Sequence, residues 1–421
     1  MLRPRAPGAA LLPFVALLLS VTPTAAQVRL TFDKHPGVEF GDNFTATARI
    51  KSENDWRDFP PEPGTNPKNV FDPYRERIAV EGKIVKRFTY HIERELHTTT
   101  HSQWKNIYVD ARVIKGALHV QAGQFNMPFG LDQTTSLLDQ DFNYHSLAGS
   151  YLAPGRGPGA MVYGDLFQKN SLSYEFGVFR RDGDNTRGAQ TLNMPAAPVV
   201  AGRIVVKPFS KWSLFHFVRS IDTGVAFTDG VLPQGLFDLQ GQTIPGDAFV
   251  QKAWVNGRRQ RLGWQLQWRP GPLGVQAEAM RTHDTRWGQG IDNEDLPALV
   301  YHAWYVSGTY ILTGEHKHDA ITPDRPFLEH GGLGAVEVGS RFERMTAGGG
   351  PPSLDRVMFG PRSPYVFPSA DRIWTTGVNW YLNRFLQLSL NINQENRSPA
   401  VGMSPQPGTI WTRTFRVEFG L

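Results

Sequence analysis

Thr414-Phe415-Arg416-Val417-Glu418-Phe419-Gly420-Leu421 closes the chain in strict alternation. With the two-residue period of a strand, Phe415, Val417, Phe419 and Leu421 fall on one face, and Thr414, Arg416, Glu418 and Gly420 on the other. One face is apolar and aromatic; the other carries a cation and an anion. A closing strand of this kind is what a transmembrane β-barrel requires, because hydrocarbon admits only structures that satisfy every backbone group internally.

The same pattern recurs upstream in hairpins. Phe44, Ala46, Ala48 and Ile50 alternate with Thr45, Thr47, Arg49 and Lys51. Ile78 to Ile84 turns at Val85-Lys86-Arg87 into Phe88 to Ile92. Ile107 to Arg112 turns near Lys115-Gly116 into Leu118 to Ala122. Ala160 to Phe167 pairs with Leu172 to Phe179 across Gln168-Lys169-Asn170. Val199 to Lys207 is read as pairing with Ser213 to Ser220 across Pro208-Phe209-Ser210-Lys211. Arg261 to Arg269 and Leu273 to Arg281 flank Pro270-Gly271-Pro272. Ala303 to Leu312, Val336 to Glu343, Trp374 to Leu382, Leu386 to Gln394 and Trp411 to Leu421 complete sixteen strands. An even count with short turns on one side and long loops on the other predicts an all-β, antiparallel, sixteen-stranded transmembrane barrel. A large soluble β-sandwich is the alternative for such alternation. Tyr305, Tyr310, Trp374, Trp380, Tyr381, Trp411 and Phe419 are placed in aromatic girdles at the membrane interfaces.

Composition agrees. Hydrophobic residues make up only 40% of the chain and aromatics 12%, with 42 Gly and 31 Pro, which suits a turn-rich wall around a wet lumen rather than a large dry core. Cysteine is absent, which excludes a disulfide framework. The net charge of +5 is too small to point to nucleic acid, and no zinc-finger, phosphate-loop or helical basic motif is present. Residues 1–26 read as an export signal: Arg3 and Arg5, then the apolar run Leu11 to Leu19, then Thr24-Ala25-Ala26. Residues 27–36 are read as a short periplasmic segment and 37–421 as the barrel, placing the protein in the bacterial outer membrane in contact with its lipids.

From about Tyr74 onward the chain resembles the phosphate-selective porin O/P family. The resemblance rests on several short segments in order. Gly123-Gln124-Phe125-Asn126-Met127-Pro128-Phe129-Gly130-Leu131 is similar to that family's G-x-F-K-x-P-F run into a constriction loop. Ala153-Pro154-Gly155-Arg156 is similar to its A-P-G-R stretch. Leu312-Thr313-Gly314-Glu315, Ala335 to Phe342, and Gly377 to Asn383 resemble later hairpins. The resemblance implies a trimeric sixteen-stranded porin, a homotrimer passing small anions such as phosphate or polyphosphate. Two departures stand out: Asn126 occupies the usual Lys position, and Gly157 replaces an Asp that commonly follows the Arg.

On the polar strand faces, cations outnumber carboxylates. The cations are Arg49, Lys51, Arg75, Arg77, Lys83, Arg112, Arg203, Lys207, Arg259, Arg261, Arg269, Arg341 and Arg416; the carboxylates include Glu81, Glu93, Glu95, Asp110, Glu278, Glu337, Glu343 and Glu418. Cation rings in a narrow passage favour anions, and the guanidinium fork matches phosphate oxygens. The competing reading is that these side chains pair across neighbouring strands. Residues 130–156 are read as a loop folded into the pore. Arg156, at its end, is either a constriction cation or an anchor to Asp139 or Asp141. The long turn 314–332 is expected to fold inward, as the resemblance implies, with Lys317 and Arg325 facing the pore. His316 and His318 lack a third ligand, so neither a metal nor any other cofactor is expected. No nucleophile motif supports an enzyme. The expected function is passive diffusion of small anions; a general solute porin, or a structural or binding barrel without anion selectivity, is the alternative.

Overall fold

The structure, a computed structural model, describes residues 28–32, 35–41, 43–59, 70–97, 103–136, 139–167, 171–185, 197–210, 216–235, 239–318, 320–329, 331–351, 360–403 and 405–421. The export signal read at residues 1–26 lies outside the described residues.

The strands, in chain order, are β1 (Val28–Phe32), β2 (Pro36–Phe40), β3 (Phe44–Asp58), β4 (Val70–Ile84), β5 (Phe88–Glu95), β6 (Trp104–Ile114), β7 (Leu118–Asn126), β8 (Arg156–Leu166), β9 (Leu172–Phe179), β10 (Val199–Val206), β11 (Ile221–Gly235), β12 (Val255–Trp268), β13 (Leu273–Arg286), β14 (Leu296–Ile311), β15 (Ala335–Gly349), β16 (Val366–Tyr381), β17 (Leu386–Ser398) and β18 (Gly408–Gly420). From β3 onward each strand pairs antiparallel with the next, and β18 returns to β3 from Arg413↔Asp58 to Gly420↔Lys51. The result is a closed sixteen-stranded barrel. Closure satisfies the backbone of every wall strand, as hydrocarbon demands.

β1 and β2 form a hairpin outside that ring. β2 pairs with β3 from Gly37↔Thr47 to Phe40↔Phe44. It therefore continues the line of β18 along the same edge of β3. Just beyond, Leu421 exchanges two backbone hydrogen bonds with Ile50, at 2.6 and 2.8 Å.

Alternation decides which side chains meet lipid and which meet the lumen. On β14, Tyr301, Ala303 and Tyr305 are buried, whereas His302, Trp304 and Val306 are exposed. Tyr310, Trp374, Trp411 and Phe419 point outward as a girdle requires. Tyr305 and Tyr381 do not: both point inward and are buried, because each shares strand parity with lumen-facing neighbours. The Tyr381 hydroxyl donates to Glu337 at 2.9 Å.

The strand expected at Ser213–Ser220 is displaced. His216–Ser220 forms a 3-10 turn, and the strand is β11, beginning at Ile221. Its inward residues Gly224, Ala226, Thr228 and Gly230 are small, so they contrast little with the outward Val225, Phe227 and Val231. The apolar cluster just before it gave the stronger sequence signal.

Candidate pore constriction

Three segments from the long-loop side fold into the lumen. The largest, residues 127–155, joins β7 to β8. Gly130 (φ 82°) and Gly155 (φ 79°) bend it inward in the left-handed region that glycine tolerates. Between them lie one turn of helix, α1 (Leu131–Thr134), and a π-helical turn, Ala148–Leu152. Phe129, Leu147 and Leu152 are buried against Met280, Tyr301, Ala303 and Tyr305 of the wall. Each such burial is worth about 1.5–3 kcal/mol. Residues 239–254, between β11 and β12, bring Leu239, Phe249, Val250 and Ala253 into the same cluster. One side of the barrel interior is therefore a dry core.

Wall carboxylates hold these segments. Glu278 accepts from the backbone N–H of Leu131 at 2.5 Å and of Asp132 at 2.9 Å. Glu343 accepts from Leu147 N–H at 2.5 Å, and Glu395 from Ile244 N–H at 3.0 Å. Asp132 in turn receives the Ser146 N–H and hydroxyl at 2.7 and 2.8 Å. Burial alone would raise the Asp132 carboxyl; nearby His145 and Arg341, with the Ser146 hydroxyl, outweigh it and hold it down at about 2. The third segment, residues 180–185, is pinned through Asp182. Its carboxylate takes Arg261 at 2.7 and 2.8 Å and Arg259 at 2.9 Å.

The other side of the interior stays open. A cavity of about 900 Å³ runs along β3 to β8, against the inner faces of the three segments, and reaches Arg341 and Glu343 of β15, Thr375 of β16 and Asn393 of β17. Arg49, Lys51, Arg75, Arg77, Arg156 and Arg341, all expected at the pore, line it, Arg75 standing 3.6 Å from Glu53. Arg49 pairs with Glu81 at 3.3 Å, Arg77 with Glu95 at 2.7 Å, and Arg341 with Glu343 at 2.9 Å. Lys51 donates to the Ser136 hydroxyl, at 3.4 Å. Arg156 donates to the Asn106 side-chain oxygen at 3.2 Å, and its backbone N–H donates to Asp184 at 2.7 Å. Neither Lys51 nor Arg156 has an ion pair among the described residues. Asp141, one of the two proposed anchors for Arg156, is held by Lys317 instead.

The remaining expected pore cations have other duties. Arg203 binds Glu175 and the Thr134 hydroxyl of α1, and Arg261 holds Asp182. Arg416 binds Asp55 at 2.6 Å and Glu53 at 2.8 Å across the closing seam. Lys317 joins Asp141 to Glu337, so its charge is neutralised inside the wall. Lys83, Arg112 and Arg325 are exposed away from the cavity; Arg112 donates to the Lys86 carbonyl at 2.8 Å. Lys207 stands 3.9 Å from Asp222. These eight do not line the cavity, because periodicity assigns a face but neither a height nor a partner.

Lys105 was missed. Strand parity with Ile107 points it at lipid, yet it is buried and lines the cavity. The register explains this: Ile92↔Ile107 is followed by Arg94↔Trp104, so β6 carries an extra residue there. Such a bulge re-aims side chains. It turns both Lys105 and Asn106 inward, near Arg156. Lys105 has no ion pair among the described residues. Asn126, at the position where the resemblance leads one to expect Lys, sits directly across from Arg156 in the β7–β8 register.

A family model for phosphate-selective porin O and P matches residues 44–399. The chain belongs to that family. No curated protein matches the sequence. Among solved structures, the porin resembles an outer membrane channel, DcaP, of Acinetobacter baumannii, with TM-score 0.56 and 8% identity over 90% of this chain and 98% of that one. It also resembles an anion-selective porin from Comamonas acidovorans, with TM-score 0.54 and 10% identity over 90% and 100%. The trimer form of OmpT, an outer membrane protein of Vibrio cholerae, gives TM-score 0.55 and 8% identity over 90% and 100%. At these identities the likeness is one of fold. Family and fold place this porin in the bacterial outer membrane and point to a channel rather than an enzyme.

Proposed function

We propose that this porin passes small anions in preference to cations, phosphate among them, and that it does so as a homotrimer. One observation carries the selectivity. Lys51, Lys105 and Arg156 line the open side of the constriction without an ion pair among the described residues, while the carboxylates lining it are engaged: Asp72, Glu93, Glu95, Asp182 and Glu343 by arginines and Asp184 by the Arg156 N–H; Glu278 and Glu395, on the other side, are occupied by loop N–H groups. The charge counts of the two sides matter less than their availability. In a narrow passage, fixed and uncompensated cations raise the local anion concentration. Asn126 removes a cation that the family resemblance would supply, and Lys105 offers one from the neighbouring strand. The trimer form of a fold neighbour supports the oligomer.

Planar-bilayer recording of the refolded porin in a KCl gradient tests this reading. A reversal potential of the anion-selective sign is expected; a cation-selective sign would overturn it. Crosslinking of the detergent-solubilised protein should give a ladder ending at three. We also read residues 1–26 as removed on export, so the intact mass of membrane-extracted protein should begin at Gln27.

A further inference from the structure

The outer wall carries charge where lipid should meet hydrocarbon. On β13 to β16, Arg281, His302, Arg344 and Arg372 all occupy exposed, outward-facing positions in the half of the wall nearer the long loops. They are neighbours in the sheet: Arg281 faces His302, and Arg344 faces Arg372 directly. Like charges placed opposite each other on adjacent strands repel. No outward carboxylate on these four strands relieves them. Arg372 donates to the Asn396 side chain at 3.0 Å, and the other three have no ion pair among the described residues.

Two other outward arginines meet carboxylates, and a third, Arg94, donates to the Gln103 side chain at 2.8 Å and lies over the Trp104 ring. Arg258 is matched by Asp229, with Nε to Oδ1 at 2.7 Å, and Arg413 by Asp58 at 3.4 Å. What sets the β13–β16 cluster apart is that its charged positions stand directly opposite one another. Its height is marked by rings. Trp304, Phe342 and Trp374 form a contiguous aromatic row, with centroids 5.6 and 6.1 Å apart. Trp304 pairs in register with Arg344, and Phe342 with Trp374. An aromatic row marks the boundary between hydrocarbon and headgroups. The cations sit one outward position further towards the long loops, the side on which the headgroups of the outer leaflet lie. Charges cost most at the bilayer midplane and least at this boundary.

We propose that this cluster binds the phosphate of a phosphorylated lipid headgroup in the outer leaflet. Two facing guanidinium forks present parallel N–H donors to phosphate oxygens, and the anion removes their mutual repulsion. Arg281 and His302 extend the site sideways. The Trp304–Phe342–Trp374 row takes the acyl chains immediately below. The occupant is a lipid rather than a free anion because the site opens sideways onto the bilayer and is continuous with the apolar wall.

The test uses the refolded full-length porin in detergent, with purified diphosphoryl lipid A and its dephosphorylated form as probes, read by native mass spectrometry. We expect diphosphoryl lipid A to bind at least about tenfold more tightly than the dephosphorylated form. The double variant Arg344→Gln/Arg372→Gln should abolish that difference. Equal binding of the two lipids to the unmodified porin overturns the proposal and needs no variant. Equal lipid binding by the porin and the double variant overturns it too. If the variant changes oligomeric state while keeping the phosphate preference, the face is a protomer contact and the proposal falls.

Discussion

Lys317, on the long turn between β14 and β15, donates to Asp141, on the loop that descends from the opposite end of the barrel. Its ammonium also meets Glu337 of β15 at 2.5 Å. One cation thus ties the loop from the far end of the molecule to the short-turn end of the wall. Removing it takes the direct ion-pair partner from two buried carboxylates, a loss of about 3–5 kcal/mol for a broken buried pair. Lys317→Met should lower the urea midpoint of the refolded barrel, followed by tryptophan fluorescence. It should also make the open channel noisier. An unchanged midpoint would show that the tie contributes nothing.

Arg156→Ala and Lys105→Gln each remove from the open side a cation that has no ion pair among the described residues. Each should reduce the chloride-to-potassium permeability ratio about threefold, and the double variant more. Arg261→Gln should not act this way. That side chain holds Asp182, so its loss should appear in stability and loop order before selectivity.

The absence of cysteine permits a clean test of the β6 bulge. Lys105→Cys should react with an anionic, membrane-impermeant thiol reagent, and conductance should fall as it does. Ile107→Cys, on the lipid face, should stay unreactive. Equal reactivity at the two sites would contradict the register shift between them.

Asp132 sets an acid limit on the inward loop. Its carboxyl titrates at about 2 in the folded protein against an ordinary 3.8. A lowered value means the group stabilises the fold at pH above the unfolded pKa, and that contribution disappears as pH falls through the folded one. Loop anchoring should hold from neutrality to about pH 4 and weaken between there and about pH 2. Proteolysis of residues 127–155 by an acid-active protease should rise over that interval. Asp132→Asn should flatten the profile.

Strand alternation from Phe44 to Leu421 made the barrel and nearly every strand legible in the sequence, because lipid on one side and water on the other impose a period of two. The exception, β11, has a lumen face of glycine, alanine and threonine, too small to contrast with its apolar face. The constriction was less legible. The loop bearing Arg156 was visible through its glycines and the family resemblance. Residues 239–254 carried a signal that went unread: Leu239, Phe249 and Val250 are apolar residues in a loop that would otherwise face water. Lys105 could not be found by parity, since a single inserted residue reverses parity. Nor could parity separate Lys51, which faces the cavity without an ion pair among the described residues, from Arg416, which is locked to Asp55 and Glu53; both lie on lumen faces, and only three-dimensional pairing distinguishes them.

The seam between β3 and β18 has a kinetic consequence. Arg416 and Asp55, which meet across it, are 361 positions apart. Contacts of such separation form late, because the intervening chain must first be ordered. Until then the edge of β3 offers unpaired backbone to any other chain, and an open edge invites aggregation. The hairpin of β1 and β2 covers the first part of that edge from nearby in sequence, between Phe44 and Thr47. It shortens the exposed template while the nascent barrel waits for its partner strand. β1 and β2 are expected to protect the edge of β3 in this way: deleting them should lower refolding yield more than it lowers the stability of barrels that have closed.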